Sequence, residues 1–283
     1  MWNFRRIIHL FIQKATRDHV GTYSAQAAYF ILLSSLPFAI LLLTLLQYLP
    51  LSFDDLLGIT RSLLPGAASA MIEDILQEVY ERSTVALTSF TIIFVLWSAG
   101  RAIFTITGGI NEIYSIRESR RYLHLRILAM IYTFLLAFAL LLILMLLVFG
   151  RQIIAQTAQV FPRIHHIFVM IMSMRLLIMF VILNLFFIFV YMLLPNRKTK
   201  FTHVLPGSLV CSLGWIITSY IFAYLFHYTT NFSYMYGSLA GIMMIMLLLY
   251  WYMYQLFLGA EFNLFLYPED SGLKPEQRRN IFR

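Results

Sequence analysis

Two charged side chains stand inside otherwise apolar runs of this 283-residue chain. Arg101 closes the stretch Trp97-Ser98-Ala99-Gly100-Arg101, and Glu261 lies in Leu258-Gly259-Ala260-Glu261-Phe262-Asn263. A charge placed in hydrocarbon costs at least ~2.5–3.5 kcal/mol on insertion scales, so each needs a partner or a task. The simplest expectation is an Arg101–Glu261 ion pair that neutralises both and pins two helices together. Such a pair is either a brace for the fold or a binding or proton-linked site, and the residues alone leave both open. Asn111-Glu112-Ile113-Tyr114 follows Arg101 by almost three turns and is expected at the cytoplasmic surface. Gln26, Asn184 and Asn263 are further candidates for buried polar groups. Such residues serve more often as interhelical hydrogen bonds than as ligand sites.

Other chemistry is missing from the pattern. The seven histidines include an adjacent pair, His165-His166, with no carboxylate cluster nearby. The zinc-protease HExxH, the esterase GxSxG and the phosphate-binding GxxxxGK[ST] do not occur. No nucleophile, base and orienting group assemble. The single Cys211 has no disulfide partner and no CxxC companion. The expectation is therefore no catalytic residue, no metal and no cofactor. A soluble-type hydrolase and a self-sufficient ATP-driven pump are disfavoured.

The elements that position these residues follow from composition. The chain is 60% hydrophobic and 12% charged, against about 45–50% and about 25% in a soluble domain. Its mean hydropathy is +0.78. Polar groups on this scale cannot cover its apolar surface in water, so its expected solvent is a bilayer. The net charge of +8 would suggest nucleic acid in a soluble protein. In a membrane protein it reflects basic cytoplasmic loops and anionic lipid, and no nucleic-acid signature accompanies it here.

A helix needs ~20 largely apolar residues to cross ~30 Å of hydrocarbon. Six segments qualify: residues 21–49, 85–106, 125–149, 176–194, 204–226 and 236–267. The last is too long to stand upright and must tilt or protrude. None alternates polar and apolar residues as barrel strands do. Fifteen of the 21 Lys and Arg flank one side, five the other, and Arg101 completes the set. The positive-inside rule then places both termini in the cytoplasm. The A-x-A at Ala25 and Ala27 precedes the first long apolar run, so the first span is expected to be retained rather than cleaved.

The fold class expected is an all-α polytopic membrane protein with six transmembrane helices. Residues 1–20 form a cytoplasmic segment, 21–267 the membrane domain and 268–283 a basic cytoplasmic tail. In the first external loop Met71, Ile72, Ile75, Leu76 and Val79 recur at helical spacing and predict an amphipathic interfacial helix. Pro37 interrupts the first span and should kink it, with Ser34 and Ser35 placed to satisfy the freed carbonyls. Gly237-x-x-x-Gly241 presents a small-residue face that permits close helix contact, expected within the chain rather than between chains.

The ensemble resembles the YihY/BrkB family of bacterial inner-membrane proteins. The resemblance rests on Asp18…Ala25-x-x-Ala28-Tyr29…Ser34-x-x-Pro37, Ser98…Asn111-x-x-Tyr114 and Leu194-Pro195-Asn196-Arg197. It continues through Tyr236-Gly237-Ser238-Leu239-Ala240-Gly241 and Leu258-Gly259-Ala260-Glu261, covering roughly residues 15–267. It implies a multi-pass protein of the bacterial plasma membrane with about six spans. The family has carried the name ribonuclease BN, regarded as a misassignment. Some members are linked to serum resistance and others to envelope lipid export. No catalytic residues carry over, only the motif positions: Pro195, Asn196, Gly237, Gly241 and Gly259, beside those already named.

The functional expectation is an envelope transporter or lipid-translocating protein in which Asp18, Arg101, Asn111 and Glu261 line or gate a path near the cytoplasmic leaflet. Its partners would be membrane lipids and a lipid or small-solute substrate; the oligomeric state is open. The alternative is a non-transporting scaffold or assembly factor, and the remote alternative a membrane-bound nuclease. A wet cleft reaching Glu261 and Arg101 would favour transport, and a dry, filled interior the scaffold.

Overall fold

Long uninterrupted apolar runs with few Gly or Pro breaks leave the backbone one way to satisfy its polar groups in lipid, the α-helix. The computed structural model accordingly shows helices and no strand among its described residues, which are 4–46, 57, 73, 77, 85–121, 123–132, 175–228 and 238–273. In chain order they are α1 (Phe4–Arg17) and α2 (Val20–Leu46). Next come α3 (Val85–Ile113) and α4 (Leu123–Tyr132). The last three are α5 (Arg175–Leu193), α6 (Phe201–Tyr228) and α7 (Ser238–Leu266), followed by a 3-10 turn at Pro268–Asp270.

Phe201–Leu225 and Gly241–Leu266 are long and apolar enough to cross a bilayer, and only 28% and 17% of their most apolar stretches are buried. The core helix of a soluble protein would be mostly enclosed. These helices instead present Ile217, Tyr220, Tyr224 and Met243 outward, each more than half exposed. An apolar surface of that extent needs lipid or a partner against it.

Most expected spans match described helices within a few residues. The second runs further, to Ile113 instead of residue 106. The third is described only through Tyr132. The expected external amphipathic helix at residues 71–79 lies outside the described residues apart from Glu73 and Gln77, both of them helical. Helix α2 passes through position 37, but the side chain of Pro37 lies outside the described residues, as does Gly237; Ser34 is buried.

The chain divides into two compact units. One comprises Met1–Leu32, Arg101–Leu125 and Met174–Arg283, the other Leu33–Gly100 and Arg126–Ser173. In the first, α6 packs along both α5 and α7, and α1 lies against α7. Its core centres on Phe187, Tyr191, Phe257, Ile110 and Tyr114, all fully enclosed. Trp215 stacks on Tyr252 at 4.3 Å and meets Phe187 edge-on at 5.0 Å, which ties α5, α6 and α7 together. A close backbone approach brings α6 to α7 at Gly207 and Gly259. A Cβ on Gly207 would collide with the Gly259 carbonyl, and one on Gly259 with the Tyr191 hydroxyl. Only glycine permits that approach. Gly241 is exposed, with nothing within 4 Å of where its Cβ would sit. The close glycine contact is thus Gly207–Gly259, whereas Gly241 packs against nothing described. In the second unit, Arg126 donates to the Trp97 carbonyl (2.6 Å) and lies over the Trp97 ring.

Candidate functional site

Asp18, Asn111, Tyr114, Asn196 and Glu261 come together at one end of the first unit's helices, whereas Gly241 does not join them. Helix α1 is amphipathic, and Phe11, Lys14, Ala15 and Asp18 share a face. Phe11 meets Phe265 edge-on at 6.4 Å, and Ala15 is buried. Lys14 and Asp18 are thereby carried onto the last turns of α7. The chain then turns at His19, held at φ 55°, and enters α2.

Lys14 forms the centre of a buried charge cluster. Its Nζ donates to Glu261 Oε2 at 2.7 Å, to Asp18 and to the Ile113 carbonyl at 3.3 Å. The three donors of the ammonium are used completely. The side chains of Lys14, Glu261 and Asp18 are 3%, 0% and 12% exposed. Glu261 Oε1 is buried without a hydrogen-bond partner. Arg17 reaches the other oxygen of Asp18 at 3.6 Å from an exposed position.

The expected Arg101–Glu261 pair is corrected here: the partner of Glu261 is Lys14. It is the Ile113 end of α3 that reaches Lys14. Arg101 stands twelve positions earlier, about 18 Å along the axis at ~1.5 Å per residue. Arg101 has interactions of its own. Lys14 was hidden among the basic residues that set topology. The signal for it was a lysine and an acid spaced i,i+4 on the apolar face of α1.

A second layer covers the end of α3. That helix closes in a Schellman pattern, with Ile116 N donating to the Asn111 carbonyl (2.8 Å) and Ser115 N to that of Glu112 (2.9 Å). Ser115 takes the left-handed position at φ 53°. Gly272 fits beneath it: its N–H donates to the Tyr114 carbonyl at 2.9 Å, and a Cβ there would meet the Ser115 carbonyl at 2.5 Å.

Asn111 is 4% exposed, and Tyr114 is fully enclosed. The reason is the loop of Leu194-Pro195-Asn196-Arg197, which folds over them. The Asn111 amide donates to Glu118 Oε2 (2.8 Å), and its Oδ1 accepts from Asn196 N (2.9 Å). The Asn196 side chain donates to Ser119 Oγ (2.8 Å). Arg120 grips Glu118 bidentately at 2.8 Å and donates to the Leu194 carbonyl at 2.9 Å. Hydrogen bonds from the Arg120 side chain hold the Glu118 carboxyl below the usual carboxylate range, against partial burial, with Asn111 contributing less.

Arg197 lies over the Tyr114 ring at 5.1 Å and bonds Asp270 in the 3-10 turn. His203, stacked on Tyr267 at 4.1 Å, approaches the other Asp270 oxygen at 3.2 Å. Burial pushes the Tyr114 hydroxyl well up, with Arg197 pulling the other way. Asn263 is buried as expected, and its Oδ1 accepts from Gly207 N at 2.6 Å, next to Pro206 in α6. Asn184 has a buried, unpartnered amide nitrogen among the described residues, whereas Gln26 is exposed.

A cleft of about 470 Å³ opens beside this layer, lined by Phe104, Thr107, Asn111, Glu112, Arg117 and Glu118 among others. Neither Glu261 nor Arg101 lines it. The charge cluster and the cleft are therefore neighbours through α3 but not one cavity.

Residues 11–280 match the family described as Virulence factor BrkB. Over 245 residues the chain is 35% identical to a protein of Bacillus subtilis named putative ribonuclease-like protein YfkH, covering 86% of this chain and 89% of that one. It is 25% identical over 267 residues to a UPF0761 membrane protein of Chlorobium phaeobacteroides, covering 92% of this chain and 56% of the relative. A UPF0761 membrane protein of Prosthecochloris aestuarii is 24% identical over 269 residues, covering 91% and 60%. The chain thus spans little more than half the length of these two relatives. No solved structure matches it.

Proposed function

The chain belongs to the Virulence factor BrkB family of membrane proteins, and from that premise we propose that it is a bacterial inner-membrane transporter or lipid-translocating protein. The observation that carries this reading is the Lys14–Asp18–Glu261 cluster, which buries two carboxylates against one ammonium. A bundle that served only as a brace would be as stable, or more so, with well-packed apolar residues in their place. Costly, unevenly balanced charge inside a membrane protein marks an ion or substrate path. Six spans with both termini cytoplasmic put this end of the helices at the inner leaflet, among anionic headgroups. The cleft beside Asn111 would then be the mouth of the path and the Leu194–Arg197 loop its rim, with membrane lipid or a small solute as substrate.

Reconstitution of the purified chain in liposomes with labelled lipids tests the reading. Movement above that of empty liposomes, reduced by substitutions at Asp18 or Glu261, is expected. No movement of any lipid or solute across pH and ion gradients would overturn it.

One observation favours a second reading, a non-transporting scaffold: Glu261 is fully enclosed and does not line the described cleft. That reading predicts a partner that co-purifies stoichiometrically and depends on the outward apolar faces of α6 and α7. The ribonuclease-like name of the Bacillus relative is not carried over, because the sequence holds no catalytic motif for phosphodiester cleavage.

A further inference from the structure

The buried part of the charge cluster does not balance among the described residues. Two carboxylates and one ammonium leave one negative charge in a space where Glu261 is inaccessible and Lys14 nearly so. The surroundings sharpen the deficit. Lys14 and Asp18 sit at the C-terminal end of α1, and the Ile113 carbonyl that faces Lys14 closes α3. Both helix ends carry partial negative charge.

The nearby groups bring little relief. Arg17 touches Asp18 from the exposed rim, where water screens it. Tyr114, between Glu261 and Asp270 in the local field, is a neutral phenol. Asp270 is matched by Arg197 and approached by His203. Asn263 spends its oxygen on Gly207. All three Lys14 donors are used, and nothing among the described residues donates to Glu261 Oε1.

We propose that Glu261 is a buried proton-binding site, in which one proton is held at Oε1 because Glu261 and Asp18 both face the single Lys14 ammonium. The O–H bond at Oε1 forms as an O–H bond of a hydronium ion breaks, leaving water, and the reverse step returns the proton to water. A proton fits better than a metal ion. It needs one free oxygen, whereas a metal ion needs several, and no group of three acidic, His or Cys ligands occurs among the described residues. The site stands on this geometry alone; its use as the coupling ion of a transport cycle rests on the function proposed above.

Infrared difference spectroscopy on the full chain in phospholipid nanodiscs, in H2O and D2O over about pH 5 to 9, tests it. A protonated-carboxyl band that shifts in D2O and is lost as pH rises is expected from the native chain. Glu261→Gln should remove that band. Asp18→Asn, which leaves one carboxylate to one ammonium, should abolish it at neutral pH with Glu261 still present. A native chain with no titrating carboxyl band would overturn the proposal. So would a band that survives Glu261→Gln, or one unchanged by Asp18→Asn. The readout does not depend on transport. A titrating carboxyl in a protein that moves no lipid or solute would sustain the site and sink the transport reading.

Discussion

Lys14→Met removes the ammonium while keeping the length and apolar stem of the side chain. It strands the Glu261 carboxylate and the Ile113 carbonyl and leaves Asp18 with the exposed Arg17 at 3.6 Å. Removing one partner of a buried ion pair costs about 3–5 kcal/mol. The 12% exposure of Asp18 lets water take part of that charge, which places the cost near the lower end, about 3 kcal/mol. The damage should be local, because the latch holds α1 on the end of α7. Exchange of α1 amides, including the Asp18 N–H that bonds the Lys14 carbonyl, should then accelerate about a hundredfold. Glu261→Gln should behave differently. It retains an oxygen for Lys14 to bond and leaves Asp18 as the single counter-charge, so its cost stays near that of one hydrogen bond, about 1 kcal/mol. Hydrogen exchange read by mass spectrometry on peptides spanning α1, in the same lipid, compares the two. If Lys14→Met leaves α1 protected, or Glu261→Gln loosens it equally, the charge argument for this cluster is wrong.

Other outcomes follow from named contacts. Gly259→Ala drives a methyl group into the Tyr191 hydroxyl and should lower thermal stability in detergent by about 1–3 kcal/mol, while Gly241→Ala stays within about 0.5 kcal/mol. Equal effects would show that α6 and α7 do not meet at Gly207 and Gly259. Asn111→Ala frees the half-buried N–H of Asn196 and one acceptor of Glu118, so it should cost about 1 kcal/mol and raise protease sensitivity at Leu194–Arg197. Glu118, lowered by Arg120, contributes stability that is present above its unfolded pKa and lost as pH falls through its lower folded value. Acid should therefore detach residues 116–121 from the Leu194–Arg197 loop, and Glu118→Gln should flatten that dependence in a limited-proteolysis titration. Reporter tags at either terminus should be inaccessible from outside intact cells; an externally cleaved tag would reject the proposed orientation.

Helix extents were legible along the chain because each depends on a local apolar run and on i to i−4 hydrogen bonds. The runs at 176–194 and 236–267 became α5 and α7 almost to the residue. That Glu261 needs a partner was also legible, since a charge in such surroundings carries a cost; Gly259 and the Leu194–Arg197 stretch were marked only by the family resemblance.

Which groups meet was decided only by the tertiary structure. Depth along an axis and rotation about it do not follow from hydropathy. The Lys14–Glu261 contact joins residues 247 positions apart, and it displaced a pairing that looked plausible only because two charges stood in two apolar runs. The partner that encloses Asn111 is a loop 85 positions away, which its own sequence neighbourhood does not announce. The close glycine approach occurs at Gly207 and Gly259, because helix packing there brings two backbones together. Gly241, in the more familiar spacing, meets nothing among the described residues.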